Sequence, residues 1–86
     1  MVIPIQLKAF VNEEGRVTRL PAKHSKKLQL AISLLELFEF DRPYTESEVT
    51  EMLSAYVDDF AFVRRTLVDL GHLERDRYGR EYKRIK

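Results

Sequence analysis

The sequence predicts a mainly α fold with a small β-hairpin, on three observations. Thr45 to about Tyr56 reads as a helix with a strong N-terminal cap, and Asp58 or Asp59 caps a further helix closed by Gly71 after a turn of two or three residues. An arginine-rich stretch around Tyr78-Gly79 then reads as a two-stranded ribbon. Helix, tight turn, helix and basic hairpin in that order describe a winged helix-turn-helix. Residues 1–21 form an N-terminal extension and 22–86 the core, a single domain of 86 residues.

In chain order, Pro4 followed by IQLKAFV suits the first turn of a short helix, Asn12 to Gly15 a turn, and Arg16 to Leu20 an alternating edge strand. A plain hairpin pairing Leu7–Val11 with Arg16–Leu20 is the rival reading. A helix then runs from about Lys23 to Phe38. Its apolar residues (Leu28, Leu30, Ala31, Ile32, Leu34, Leu35, Leu37, Phe38) cover far more than one stripe, leaving Lys26, Gln29, Ser33 and Glu36 as the polar line. Such a helix is either a central core helix roofed by the N-terminal segment or part of a homodimer interface. Pro43 ends it, because proline lacks a donor and pushes its predecessor toward extended geometry.

Thr45 and Glu48 form a capping box, and Val49, Met52, Leu53 and Tyr56 follow at i, i+3, i+4 and i+7. In the next helix Phe60, Val63, Leu67 and Leu70 share one face. Two such short helices bury both faces by crossing steeply over the first. Beyond Gly71, His72–Arg77 and Arg80–Ile85 make the hairpin, with Leu73 and Tyr82 as its inward anchors.

Composition excludes several classes. With 44% hydrophobic and 34% charged residues, and no apolar run near the roughly 18 that span a bilayer, the chain reads as an ordinary globular one. The start MVIPIQLKAF lacks a basic n-region and a cleavage site, so a cytoplasmic location is expected. Without cysteine there is no disulfide, thiolate zinc site or sulfur nucleophile. His24 and His72 lack metal-pair spacing, and no glycine-rich phosphate loop, HExxH or GxSxG occurs, so neither an enzyme nor a bound cofactor is expected.

The formal charge of +1 conceals a segregation. Residues 19–35 hold Arg19, Lys23, Lys26 and Lys27 with no acid, and residues 72–86 hold six bases against three acids. Residues 36–59 hold eight acids against Arg42 alone. A bipolar surface steers a polyanion onto one side, and it equally docks a complementary protein.

Double-stranded DNA is the expected partner. On the third helix Phe62 and Arg65 lie away from the buried stripe with Arg64 on its flank; guanidinium reads guanine bidentately and Phe62 suits a thymine methyl. The alternative is that Arg64 and Arg65 pair with acids of the second helix or Asp69. Arg75, Arg77, Arg80, Lys83 and Arg84 of the hairpin are candidates for phosphate, as are Lys23, Lys26 and Lys27 around the start of the first helix. The competing function is a non-catalytic winged-helix module that binds protein through its acidic second helix and exposed apolar residues. Glu46 and Glu48 favour that rival, because the start of the second helix often faces phosphate.

The segments RLPAKHSKK, YTESEVTEML and DDFAFVRRTLVDLGHLERDRYGREY resemble a bacterial winged-helix family of unknown function, found alone or fused behind ArsR-type DNA-binding domains. The resemblance spans about residues 15–82, with YTExEV (Tyr44–Val49) and RRxLVDxG (Arg64–Gly71) its most specific pieces. It implies the winged-helix fold and a role in transcriptional regulation. His24-Ser25 depart from it, standing where relatives are more continuously basic.

Overall fold

The computed structural model describes residues 11–86. They form α1 (His24–Ser33), a 3-10 turn (Leu34–Leu37), β1 (Pro43–Thr45), α2 (Glu46–Ser54), α3 (Phe60–Asp69), β2 (Leu73–Arg75) and β3 (Glu81–Arg84). Three helices and a three-stranded antiparallel sheet in this order are compatible with a winged helix-turn-helix. The helix expected after Pro4 lies outside the described residues.

Local chemistry sets the helix limits. The Thr45 hydroxyl accepts from the Glu48 amide at 3.1 Å while the Glu48 carboxylate accepts from the Thr45 amide at 3.0 Å, so the expected capping box is complete. These bonds hold the Glu48 carboxyl below its ordinary value, the Thr45 backbone N–H contributing most. Asp59 caps α3 by accepting from the Phe62 amide at 3.2 Å. At the other end Gly71 takes φ +79°, its amide donates to the Val68 carbonyl at 3.0 Å, and the His72 amide donates to that of Leu67 at 2.9 Å. Both reversed bonds of a Schellman ending are present.

The first helix departs from its expected span. Its α-helical turns stop at Ser33, whose hydroxyl bonds back to the Leu30 carbonyl at 2.7 Å, and Leu34–Leu37 tighten into 3-10 geometry before Phe38 becomes extended. A hydroxyl that competes for a carbonyl of the preceding turn favours such tightening. Leu30, Ala31, Leu34, Leu35 and Phe38 are buried, Leu28 and Leu37 half-buried, and Ile32 alone of the eight apolar residues is exposed, at 41%. Most of the apolar excess is absorbed within the fold.

The core joins those side chains to Tyr44, Val49, Leu53, Val57, Val63, Leu67, Leu73 and Tyr82. The hairpin anchors Leu73 and Tyr82 are buried as expected, and Phe38 meets Tyr44 edge to face at 5.2 Å. On α3 the buried stripe is Val63, Thr66 and Leu67; Phe60 is only half-buried, and Leu70, expected inside, is exposed. The Schellman turn begins at Leu70, so the chain swings away before that side chain can be covered.

The sheet has a strand that the sequence reading lacks. β1 pairs antiparallel with β3, giving the order β1-β3-β2 with β3 central. Pro43 tolerates this because β1 is an edge. The hairpin turn also differs from a two-residue Tyr78-Gly79 link: it runs from Asp76 to Gly79, with the Gly79 amide donating to the Asp76 carbonyl at 3.1 Å and Gly79 at φ +70°. Arg77 and Tyr78 therefore sit at its apex.

Ahead of α1, the Asn12 side chain accepts from the Glu14 and Arg16 amides, and Gly15 at φ +79° completes the expected turn. The strand expected over Arg16–Leu20 is reduced to Val17, which bridges Val11 on one side and Val57 on the other. Its amide donates to the Tyr56 carbonyl at 2.7 Å and its carbonyl accepts from the Asp58 amide at 3.0 Å. Arg16 adds a guanidinium bond to the Asp58 carboxylate at 2.8 Å and another to the Ser54 carbonyl. The corner between α2 and α3 is thus clipped by Val17, which is 2% exposed.

Candidate nucleic-acid interface

The outer face of α3 and the start of the hairpin enclose an open cleft of about 550 Å³, lined by Ala61, Phe62, Arg65, Val68 and Arg75 with Tyr82 among them, and with Asp59, Arg64 and Asp69 at the helix ends and flank. The pleat explains why Arg75 belongs here. Arg75 stands opposite Tyr82, so both side chains leave the sheet on its inner, α3-facing side. Arg65 is exposed, and its side chain has no hydrogen bond or ion pair with any described residue. Arg75 likewise has none, and its guanidinium lies against the turn, 3.3 Å from where a side chain on Gly79 would begin. Through Arg75 the cleft is continuous with the hairpin apex.

At that apex Arg77, Tyr78 and Arg80 are exposed, Tyr78 to 68%, and the Arg80 guanidinium stacks over the Tyr78 ring at 5.0 Å. The nearby acid is withdrawn from them. The Asp76 carboxylate accepts from the Arg80 amide at 2.6 Å. Desolvation alone would raise its carboxyl, but backbone N–H groups of Arg80, Glu81, Gly79 and Tyr78 outweigh it and hold the group below its ordinary value. The tip therefore presents cations and an aromatic plane, a surface suited to phosphates and nucleotide rings.

Other candidates are engaged elsewhere or stand off this surface. Arg64 is turned toward α2, donating to the Thr50 hydroxyl at 3.0 Å and standing 3.4 Å from the Glu46 carboxylate, which is the structural pairing rather than the free reader. Arg84 is withdrawn: its Nη1 donates to the Leu35 and Phe38 carbonyls at 3.0 and 3.1 Å, its Nε to the Lys86 carbonyl, and its plane covers Phe40 at 4.0 Å. It closes the end of the first helix instead of facing solvent. Lys83 opposes Glu74 and Pro43 and so projects from the other face of the sheet.

Around the start of α1, Lys23 is the exposed N-cap and Lys26 is half-buried. Lys27 does not line the cleft, but its ammonium stands 5.9 Å from the centre of the half-buried Phe62 ring, which does. Phe62 is thus a wall carrying a cation rather than a free apolar probe. The carboxylates that favoured a protein partner also find uses here: Glu48 completes the capping box and Glu46 faces Arg64.

Sequence reading misses Tyr78 as a surface feature, since the pair Tyr78-Gly79 reads first as a turn; the interleaving of Tyr78 with Arg77 and Arg80 is the signal that marks it. It also misses Tyr82 as the floor of the cleft, because burial alone explains that residue. No group of three or more potential metal ligands occurs among the described residues, and none of their helices is long and apolar enough to cross a membrane.

A family model described as an uncharacterized protein conserved in bacteria (DUF2087) matches residues 16–84. No curated protein and no solved structure matches the chain.

Proposed function

The chain belongs to that bacterial family, and from this footing we propose that it is a DNA-binding transcriptional regulator of winged-helix type. The observation that carries the reading is the pair Arg65 and Arg75, whose guanidinium groups have no partners among the described residues and which both line the cleft on the outer side of α3. A helix of 10 residues with such a face suits a major groove, where Arg65 reads guanine and Arg75 holds the adjoining phosphate. Lys27 beside Phe62, with Arg77 and Arg80 at the hairpin apex, extends the grip along the backbone. The resemblance to winged-helix proteins fused behind ArsR-type domains supports the same reading.

Fluorescence anisotropy on a random-sequence duplex tests it. Binding at about 50 mM salt, falling steeply as salt rises, is expected. Absence of binding there favours the second reading, a protein-interaction module, for which Phe40 at 58% exposure and the exposed acids of α2 are the supporting features. A homodimer through the 23–38 helix is the remaining element of the proposal. It rests on exposed Ile32 along the stripe of Gln29, Ser33 and Glu36, and a monomer by light scattering at high micromolar concentration ends it.

A further inference from the structure

Arg64 borders the same cleft as Arg65 and Arg75, yet its charge is already answered. Its guanidinium is anchored by the Thr50 hydroxyl at 3.0 Å and faces the Glu46 carboxylate at 3.4 Å, with side-chain exposures of 23% for Arg64 and 54% for Glu46. Two carboxylates stand in the first turn of α2, and they differ in use. Glu48 is committed to the Thr45 amide, whereas Glu46 makes no capping bond and meets Arg64 instead. The Glu46 amide donates to the Arg80 carbonyl at 3.3 Å, which fixes its backbone against the end of the hairpin loop. An acid is therefore held by α2 beside a cation of α3, at the edge of a surface otherwise carrying unanswered arginines.

We propose that Glu46 is a built-in counter-anion that withholds Arg64 from nucleic-acid phosphate, so that the surface grips duplex with one charge fewer than its arginines offer. The inference rests on the DNA-binding reading. An exposed pair of this length is weak, and a phosphate can compete for the guanidinium. The carboxylate is tethered, however, and stays beside any phosphate that arrives, so the contact yields little net neutralisation and little counterion release. Sequence-independent affinity is set by the number of phosphates neutralised, whereas discrimination depends on its ratio to base-specific binding. A fixed acid at the rim lowers the first without touching the base edges that Arg65 reaches.

The test compares wild type, Glu46→Gln, Arg64→Ala, the double variant and Glu51→Gln by anisotropy on a random-sequence duplex across a salt series. Glu51 lies exposed on α2 and controls for net charge. Glu46→Gln is expected to steepen the log–log salt slope by about 0.9 and tighten binding about two- to fivefold. The double variant is expected to lose that gain, and Glu51→Gln to keep the wild-type slope. A Glu46→Gln slope equal to wild type overturns the inference, as does a gain that persists without Arg64 or is matched by Glu51→Gln. Wild type that binds with an unchanged Glu46→Gln slope sinks this inference alone, while failure of every variant to bind duplex removes the functional reading as well.

Discussion

Arg80 and Arg84 are indistinguishable as cations in the sequence, four residues apart on one ribbon, yet they have opposite fates. Arg80 leaves the turn toward solvent over Tyr78, while Arg84 lies on the inner face and is consumed by the Leu35 and Phe38 carbonyls. What separates them is the strand register together with a helix end that runs short, and neither is written in local composition. Arg84→Ala is expected to cost about 2 kcal/mol of stability, since two carbonyls lose a charged donor, and to leave the salt dependence of DNA binding unchanged; thermal melting and anisotropy check the two halves. Asp76 allows a pH prediction. Its folded carboxyl sits below the ordinary 3.8, so its contribution is fully present above that value and is lost as pH falls through 3.8 toward the lower folded value. Amide exchange at Arg80 and Glu81 is expected to accelerate over that acid window in the native chain, and Asp76→Asn to abolish the pH dependence.

Helices were the most legible elements, because their signals are short-range and chemical. Thr45 with Glu48, Asp59, and Gly71 each mark a terminus by a bond reaching three residues away. Thr45→Ala removes one arm of the capping box and is expected to cost about 1 kcal/mol, a fall in melting temperature of roughly 4–8 °C for a domain of this size. The third strand was not legible: Pro43–Thr45 is three residues long, contains a proline, and exists only because β3 presents a free edge 36 or more positions later in the chain. Pairing across that distance leaves no periodicity to read. The 3-10 ending of the first helix was hidden for a similar reason, its carbonyls being satisfied from Arg84.

For the molecule as a whole, the candidate surface was half visible: Arg65, Arg75, Arg77 and Arg80 do lie along a cleft and its adjoining apex, whereas Arg64, Lys83 and Arg84 are diverted by Glu46, by the pleat and by the helix end. If these four with Lys27 neutralise phosphates, the log–log salt slope is roughly −4 to −5. Arg77→Ala/Arg80→Ala is expected to flatten it by nearly 2 for every sequence, while Arg65→Ala weakens preferred sequences most; a salt series on random and selected duplexes distinguishes the two effects. The clip at Val17 carries a mechanical consequence. Its two backbone bonds straddle the bend at Tyr56 and Asp58, and Arg16 grips the same bend from the side. Through the bridge from Val11 to Val17, a pull on Val11 is delivered straight to the joint between α2 and α3, making this short stretch of backbone a tiller on the tilt of α3.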